Sequence, residues 1–137
     1  MKNLVLIAEK HDGHFWGTAE KKNGFMATGQ GDTLLELIQN VKDSMTDYQE
    51  HEGQANKFWK NLDIEQVKFD IKYDLEAFFE KFNYLNLSKV AERVGINRSL
   101  LNQYSTGIKC PSIEQAQKIE DTIHELAQEM AEVKLVA

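Results

Sequence analysis

Between Leu85 and Ser112 the chain carries two helix starts so closely spaced that only a sharp turn can join them. Both starts are written alike. Asn86 is placed to accept from free N–H groups of the first turn, with Leu85 before it and Val90 four residues inside, the spacing of a hydrophobic staple. Asn97 repeats the arrangement, with Ile96 and Leu101 as its apolar pair. Gly95 stands between them, where a chain leaving a helix turns left-handed and a Cβ is disfavoured. Helices joined this tightly must cross steeply, and Ala91 is small enough to admit the second against the first. Val94, Leu101 and Tyr104 then point inward at helical spacing, leaving Arg98, Ser99, Asn102 and Gln103 on the open start of the second helix.

The net charge of −6 opposes a polyanionic partner only if it is evenly spread, and it is not. From Asn86 to Pro111, Lys89, Arg93, Arg98 and Lys109 face one acid, Glu92, whereas from Ser112 onward six acids outweigh two lysines. The paired helices are therefore the basic island of an acidic chain. With so few cations per protomer, useful affinity for DNA calls for a dimer on two half-sites.

The first 70 residues have a different texture. Asn3–Glu9 reads as a strand with apolar residues on both faces, Asp12-Gly13 as a hairpin turn, and His14–Ala19 as the returning strand. A third strand is expected at Phe25–Thr28 after Asn23-Gly24. Gly29-Gln30-Gly31-Asp32-Thr33 then breaks the sheet and opens a helix, with Thr33 and Glu36 at capping-box spacing. Leu34, Leu37, Ile38, Val41, Met45 and Tyr48 form one helix face, which should lie across the sheet. The pattern fades from His51 to Glu65, where Phe58, Trp59 and Leu62 are expected to fold back over the core. Alternation of Val67, Phe69, Ile71 and Tyr73 with charged residues predicts a half-buried strand. Asp74 caps the next helix at once, with Tyr73 and Phe78 as a staple and Leu75, Phe78, Phe79 and Phe82 as its apolar stripe.

After Pro111, Ser112 and Gln115 open a long helix on which Ala116, Ile119, Ile123, Leu126, Met130 and Val133 form a seam. The first three are expected to complete a domain core, and Leu126, Met130 and Val133 to meet a second protomer. A single cysteine, Cys110, rules out an internal disulfide and a cysteine cluster for zinc. The apolar run Leu4–Ala8 is too short for a membrane span and lacks a signal-peptide pattern, so a cytoplasmic protein with no membrane partner is expected.

The segment from Tyr73 to Ala137 resembles the phage-repressor-like (XRE/Cro-type) helix-turn-helix family. The first 70 residues, with strand, hairpin and strand before Gly29-Gln30-Gly31-Asp32-Thr33, resemble the HicB family of antitoxins. The resemblance implies an α+β chain of two domains. Residues 1–72 would form a partial RNase H-like β-β-β-α-β domain that binds a HicA-like, mRNA-cleaving toxin. Residues 73–137 would form an all-α DNA-binding domain that represses the operon encoding both proteins.

Carried over from the repressor-like family, the DNA-reading set is Asn97, Arg98, Ser99, Asn102 and Gln103. Arg suits guanine O6 and N7, and Asn or Gln suits adenine N6 and N7. Ser88, Lys89 and Lys109 are expected to position the protein on phosphates. Dimer and tetramer both remain open, as do two other functions: a stand-alone regulator whose first domain senses a ligand or dimerises, and an adaptor that uses both domains for protein contacts. No enzyme, cofactor or metal is expected. Glu9, Glu20, Asp32 and Asp70 lie near strand ends without an order that requires convergence, and His11 and His14 flank a turn with no evident third ligand.

Overall fold

The computed structural model describes residues 2–137, which divide after Lys81 into two compact units, the second being Phe82–Ala137. The first is a four-stranded sheet with helices. Its elements are β1 (Asn3–His11), β2 (His14–Ala19), β3 (Thr28–Gly31), α1 (Leu34–Glu50), the short α2 (Lys57–Asn61), β4 (Lys68–Tyr73) and α3 (Leu75–Lys81). The sheet order is β3-β2-β1-β4, with β1 antiparallel to β2, β2 antiparallel to β3, and β4 parallel to β1.

The hairpins form where the turn dipeptides predict them, since Asp12, Gly13, Asn23 and Gly24 all take positive φ. The third strand is displaced from its expected place. Phe25 leaves the sheet after a two-residue turn in which Lys22 and Phe25 exchange backbone hydrogen bonds of 2.9 and 3.0 Å, and its ring stacks on Tyr48 at 3.9 Å. Thr28–Gly31 pairs with β2 instead, so Gly29-Gln30-Gly31 continues the sheet rather than breaking it. The glycines serve helix packing. A Cβ on Gly31 would stand 2.6 Å from the Leu37 backbone nitrogen, and one on Gly29 would stand 2.9 Å from the Val41 backbone nitrogen.

Helix α1 starts on the expected cap, Thr33 Oγ1 accepting from the Glu36 N–H at 3.1 Å. The return bond reaches one residue further back than in a standard capping box, from the Asp32 N–H to Glu36 Oε2 at 2.9 Å. Leu37, Val41 and Met45 are fully buried, with Leu34, Ile38 and Tyr48 packed beside them. The fading stretch after α1 is held by Trp59, whose Nε1 donates to the Lys22 carbonyl at 2.9 Å. Gln49 Nε2 also clamps it, donating to the carbonyls of Trp59 and Leu62 at 2.8 and 2.7 Å.

Asp74 caps α3 by accepting from the Ala77 N–H at 2.7 Å. Ala77 belongs to the same apolar cluster as the sheet, so α3 is the last element of the first unit. The division thus falls one helix later than the expected boundary between residues 72 and 73.

The second unit consists of α4 (Leu87–Val94), α5 (Arg98–Ser105) and α6 (Ile113–Ala131). Its buried residues are Val90, Ala91, Val94, Leu101, Tyr104, Ile119 and Thr122. Gly95 has φ 88°, and its N–H and that of Ile96 both donate to the Ala91 carbonyl, at 2.9 and 3.1 Å. Ser112 caps α6 through the Gln115 N–H at 3.1 Å. The helix ends at Ala131, so Val133 lies beyond it and does not extend the seam as a helical position. Among the described residues, no helix is long and apolar enough to cross a membrane.

Candidate nucleic-acid interface

Helix α5 owes its orientation to its two ends. Asn97 Oδ1 accepts from the Ser99 N–H at 2.7 Å and starts the helix. At the other end the Gln103 carbonyl accepts from the N–H groups of Ile108 and Lys109, at 2.9 and 3.2 Å, which folds the following loop back onto the helix. Leu101 and Tyr104 are buried on one side, which turns Arg98, Ser99 and Asn102 outward. These three and Asn97 are exposed, and Gln103 is half-buried at the edge of the same face.

The residues expected to meet phosphate are distributed around this helix. Lys109 is exposed in the loop tied to Gln103. Ser88 is half-buried in the first turn of α4, and Lys89 beside it is exposed, 3.6 Å from Glu92 on the same helix. An exposed pair of this kind is weak and gives way readily to a phosphate. Side chains from α4, α5 and the loop after α5 therefore offer one arginine, two lysines and a group of amides and hydroxyls. That donor set suits base edges and phosphate oxygens.

Arg93 is a cation of the basic island with another commitment. It donates to both carboxylate oxygens of Glu129, through Nη1 at 3.3 Å and through a shorter contact from Nη2. The bond and the charge of Arg93 draw the Glu129 carboxyl below its ordinary range, and Glu129 in turn raises Arg93. The pair joins α4 to α6 and removes one positive charge from those available to DNA. Nothing in the local pattern around either residue indicates it.

On α6, Leu126 is half-buried and lines a groove of about 450 Å³ with Leu85 and Val90. Met130 and Val133 are 64% and 60% exposed. Of the acids near strand ends in the first unit, Glu20 Oε1 accepts from the Val5 N–H at 2.8 Å, and Asp32 Oδ1 accepts from His14 Nδ1 at 2.6 Å. The Val5 bond holds the Glu20 carboxyl below its usual range.

No curated protein and no solved structure matches the chain. A family model described as Helix-turn-helix matches residues 83–129, which span α4, α5 and all but the end of α6. The match covers about a third of the chain and identifies that segment alone. Residues 83–129 are a helix-turn-helix domain, the module with which DNA-binding regulators place a helix in the major groove.

Proposed function

We propose that this protein is a sequence-specific DNA-binding transcriptional regulator that reads its operator with α5. The observation that carries this reading is the helix-turn-helix domain whose capped α5 turns Arg98, Ser99 and Asn102 to solvent. Asn97 and Gln103 complete the base-reading set, and Ser88, Lys89 and Lys109 hold phosphates. Leu126, Met130 and Val133 pair two protomers, which doubles the small number of cations per site.

Selection from a random duplex library, followed by anisotropy titration on the selected duplex, tests this. Arg98→Ala should cost about 1–3 kcal/mol of affinity and relax preference at one base pair. Unchanged affinity together with unchanged preference removes Arg98 from the reading set. Failure to enrich any duplex counts against DNA reading as a whole.

For the first unit we infer a HicB-like role, the neutralisation of a small ribonuclease toxin. The order β3-β2-β1-β4, with β4 parallel to β1 and α1 across the sheet, supports a partial RNase H-like arrangement. Through residue 70 the chain carries twelve acids against eight lysines and no arginine, which favours encounter with a basic partner. The whole protein, tagged and used as bait in lysate of its source cells, should retain a small basic protein whose RNA cleavage stops when this chain is added. Recovery of DNA alone transfers the first unit to sensing or assembly within a stand-alone regulator.

A further inference from the structure

Side chains alternate across a strand, so Glu9 and His11 share one face of β1, while Ala8 and Lys10 take the opposite face and Ala8 is buried there. The parallel register then adds a third group. Ala8 is opposite Tyr73, and the Asp74 N–H donates to the Ala8 carbonyl at 3.0 Å, which puts Asp74 beside Glu9. One imidazole nitrogen and two carboxylate oxygens from these residues lie within 4.8 Å of one another. His11 Nε2 already donates to Glu9 Oε2 at 3.3 Å, so a cation would take the place of the proton between them.

The three groups differ in how firmly they are held, and the difference suits a metal. The Asp74 carboxylate is ordered by the N–H groups of Ala77 and Lys10, a supporting shell of the kind that orients ligands. His11 is exposed and Glu9 half-buried, so both are free to adjust. Donors at about 2.0–2.2 Å from a tetrahedral ion stand roughly 3.4 Å apart, a closure that rotation of these two side chains supplies. Lys10, on the other face of β1, is committed to Glu80 at 3.1 Å. His14 is bound to Asp32 and takes no part.

We propose that Glu9, His11 and Asp74 bind one divalent transition-metal ion, zinc or an ion of similar preference, tying the end of β1 to the start of α3. An imidazole among the donors and only three protein ligands favour such an ion over magnesium or calcium, which prefer all-oxygen shells. Water fills the remaining position.

The test uses untagged full-length protein stripped with chelator and titrated calorimetrically with zinc chloride. One equivalent should bind, with magnesium chloride in excess failing to displace it. His11→Gln and Glu9→Gln should each lose about tenfold or more in affinity, whereas His14→Gln should bind as the unaltered chain does. Zinc should also raise the thermal midpoint followed by tryptophan emission, since Trp16 and Trp59 both lie in this unit, and should do so less in the two weakened variants. If a variant fails to fold, the ¹⁵N shift of the His11 ring in the unaltered protein, with and without zinc, decides the matter. Absence of saturable binding, zinc affinity unaffected by His11→Gln, or an unmoved His11 resonance at saturation overturns the proposal.

Discussion

Leu101→Ala is expected to destabilise the helix-turn-helix unit by about 2–5 kcal/mol and to abolish operator binding with it. Leu101 is fully buried on α5, the helix that also carries the exposed Arg98, Ser99 and Asn102. A unit the size of Phe82–Ala137 is stable by roughly 3–8 kcal/mol, so this loss removes much of what holds it. The cavity has little means of closing. Val90, Ala91 and Val94, buried in the same unit, lie on a helix fixed by its caps, Asn86 at the start and Gly95 at the end. Urea unfolding followed by far-UV circular dichroism measures the effect, while emission from Trp16 and Trp59 reports the first unit separately. A loss below about 1 kcal/mol would show that α5 is not seated on this core.

Gly31→Ala should destabilise the first unit by about 3 kcal/mol, the upper part of the range for overpacking. The sign is the informative part. At a position with room and ordinary backbone angles, Gly→Ala stabilises by about 0.4–1 kcal/mol, because the unfolded chain loses freedom. Gly31 has no room. The added Cβ would stand 2.6 Å from the Leu37 nitrogen and 2.8 Å from Glu36 Cβ, atoms of the first turns of α1 that cannot rotate away. Relief requires moving α1 off β3, which opens the packing of Leu37 and Val41. Tryptophan emission in a urea titration reads the change, and a variant as stable as the parent or more so would refute the close approach of α1 to the sheet.

Gly29 and Gly31 show where local preference gives way to packing. Gly29-Gln30-Gly31 looks like a break in a strand, because glycine is disfavoured there on local grounds. In the fold the absent side chains let α1 lie against β3, and tertiary packing overrides the local preference. Phe25 is the complementary case. Its apolar, β-favouring character suggests a strand, yet its ring stacks on Tyr48 at 3.9 Å and meets Trp59 edge-on at 5.4 Å. The boundary between the units shifted for a related reason. The stripe on α3 says that the helix must bury a face, but it does not say whose core receives it; Ala77 enters that of the sheet.

In the interface, the polar face of α5 was legible because caps, staples and the Gly95 turn act between residues at most a few positions apart. By sequence Arg93 belongs among the cations offered to DNA, and its bond to Glu129 depends on α4 packing against α6. The ligand set Glu9, His11 and Asp74 was likewise hidden, since Asp74 reaches Glu9 only through the parallel register of β4 on β1.

The sequence by itself determined the α+β composition of the chain, the starts of α1, α3, α4, α5 and α6, the two tight turns, and the inward and outward faces of α4 and α5. Each follows from hydrogen bonds or periodicity within a few residues, where the identity of the neighbours is known in advance. Only the tertiary structure decided the place of β3, the unit to which α3 belongs, the partner of Arg93 and the meeting of Glu9, His11 and Asp74. Those depend on strand register and helix packing between distant segments, whose energies come from fitting whole surfaces together rather than from any short run of residues.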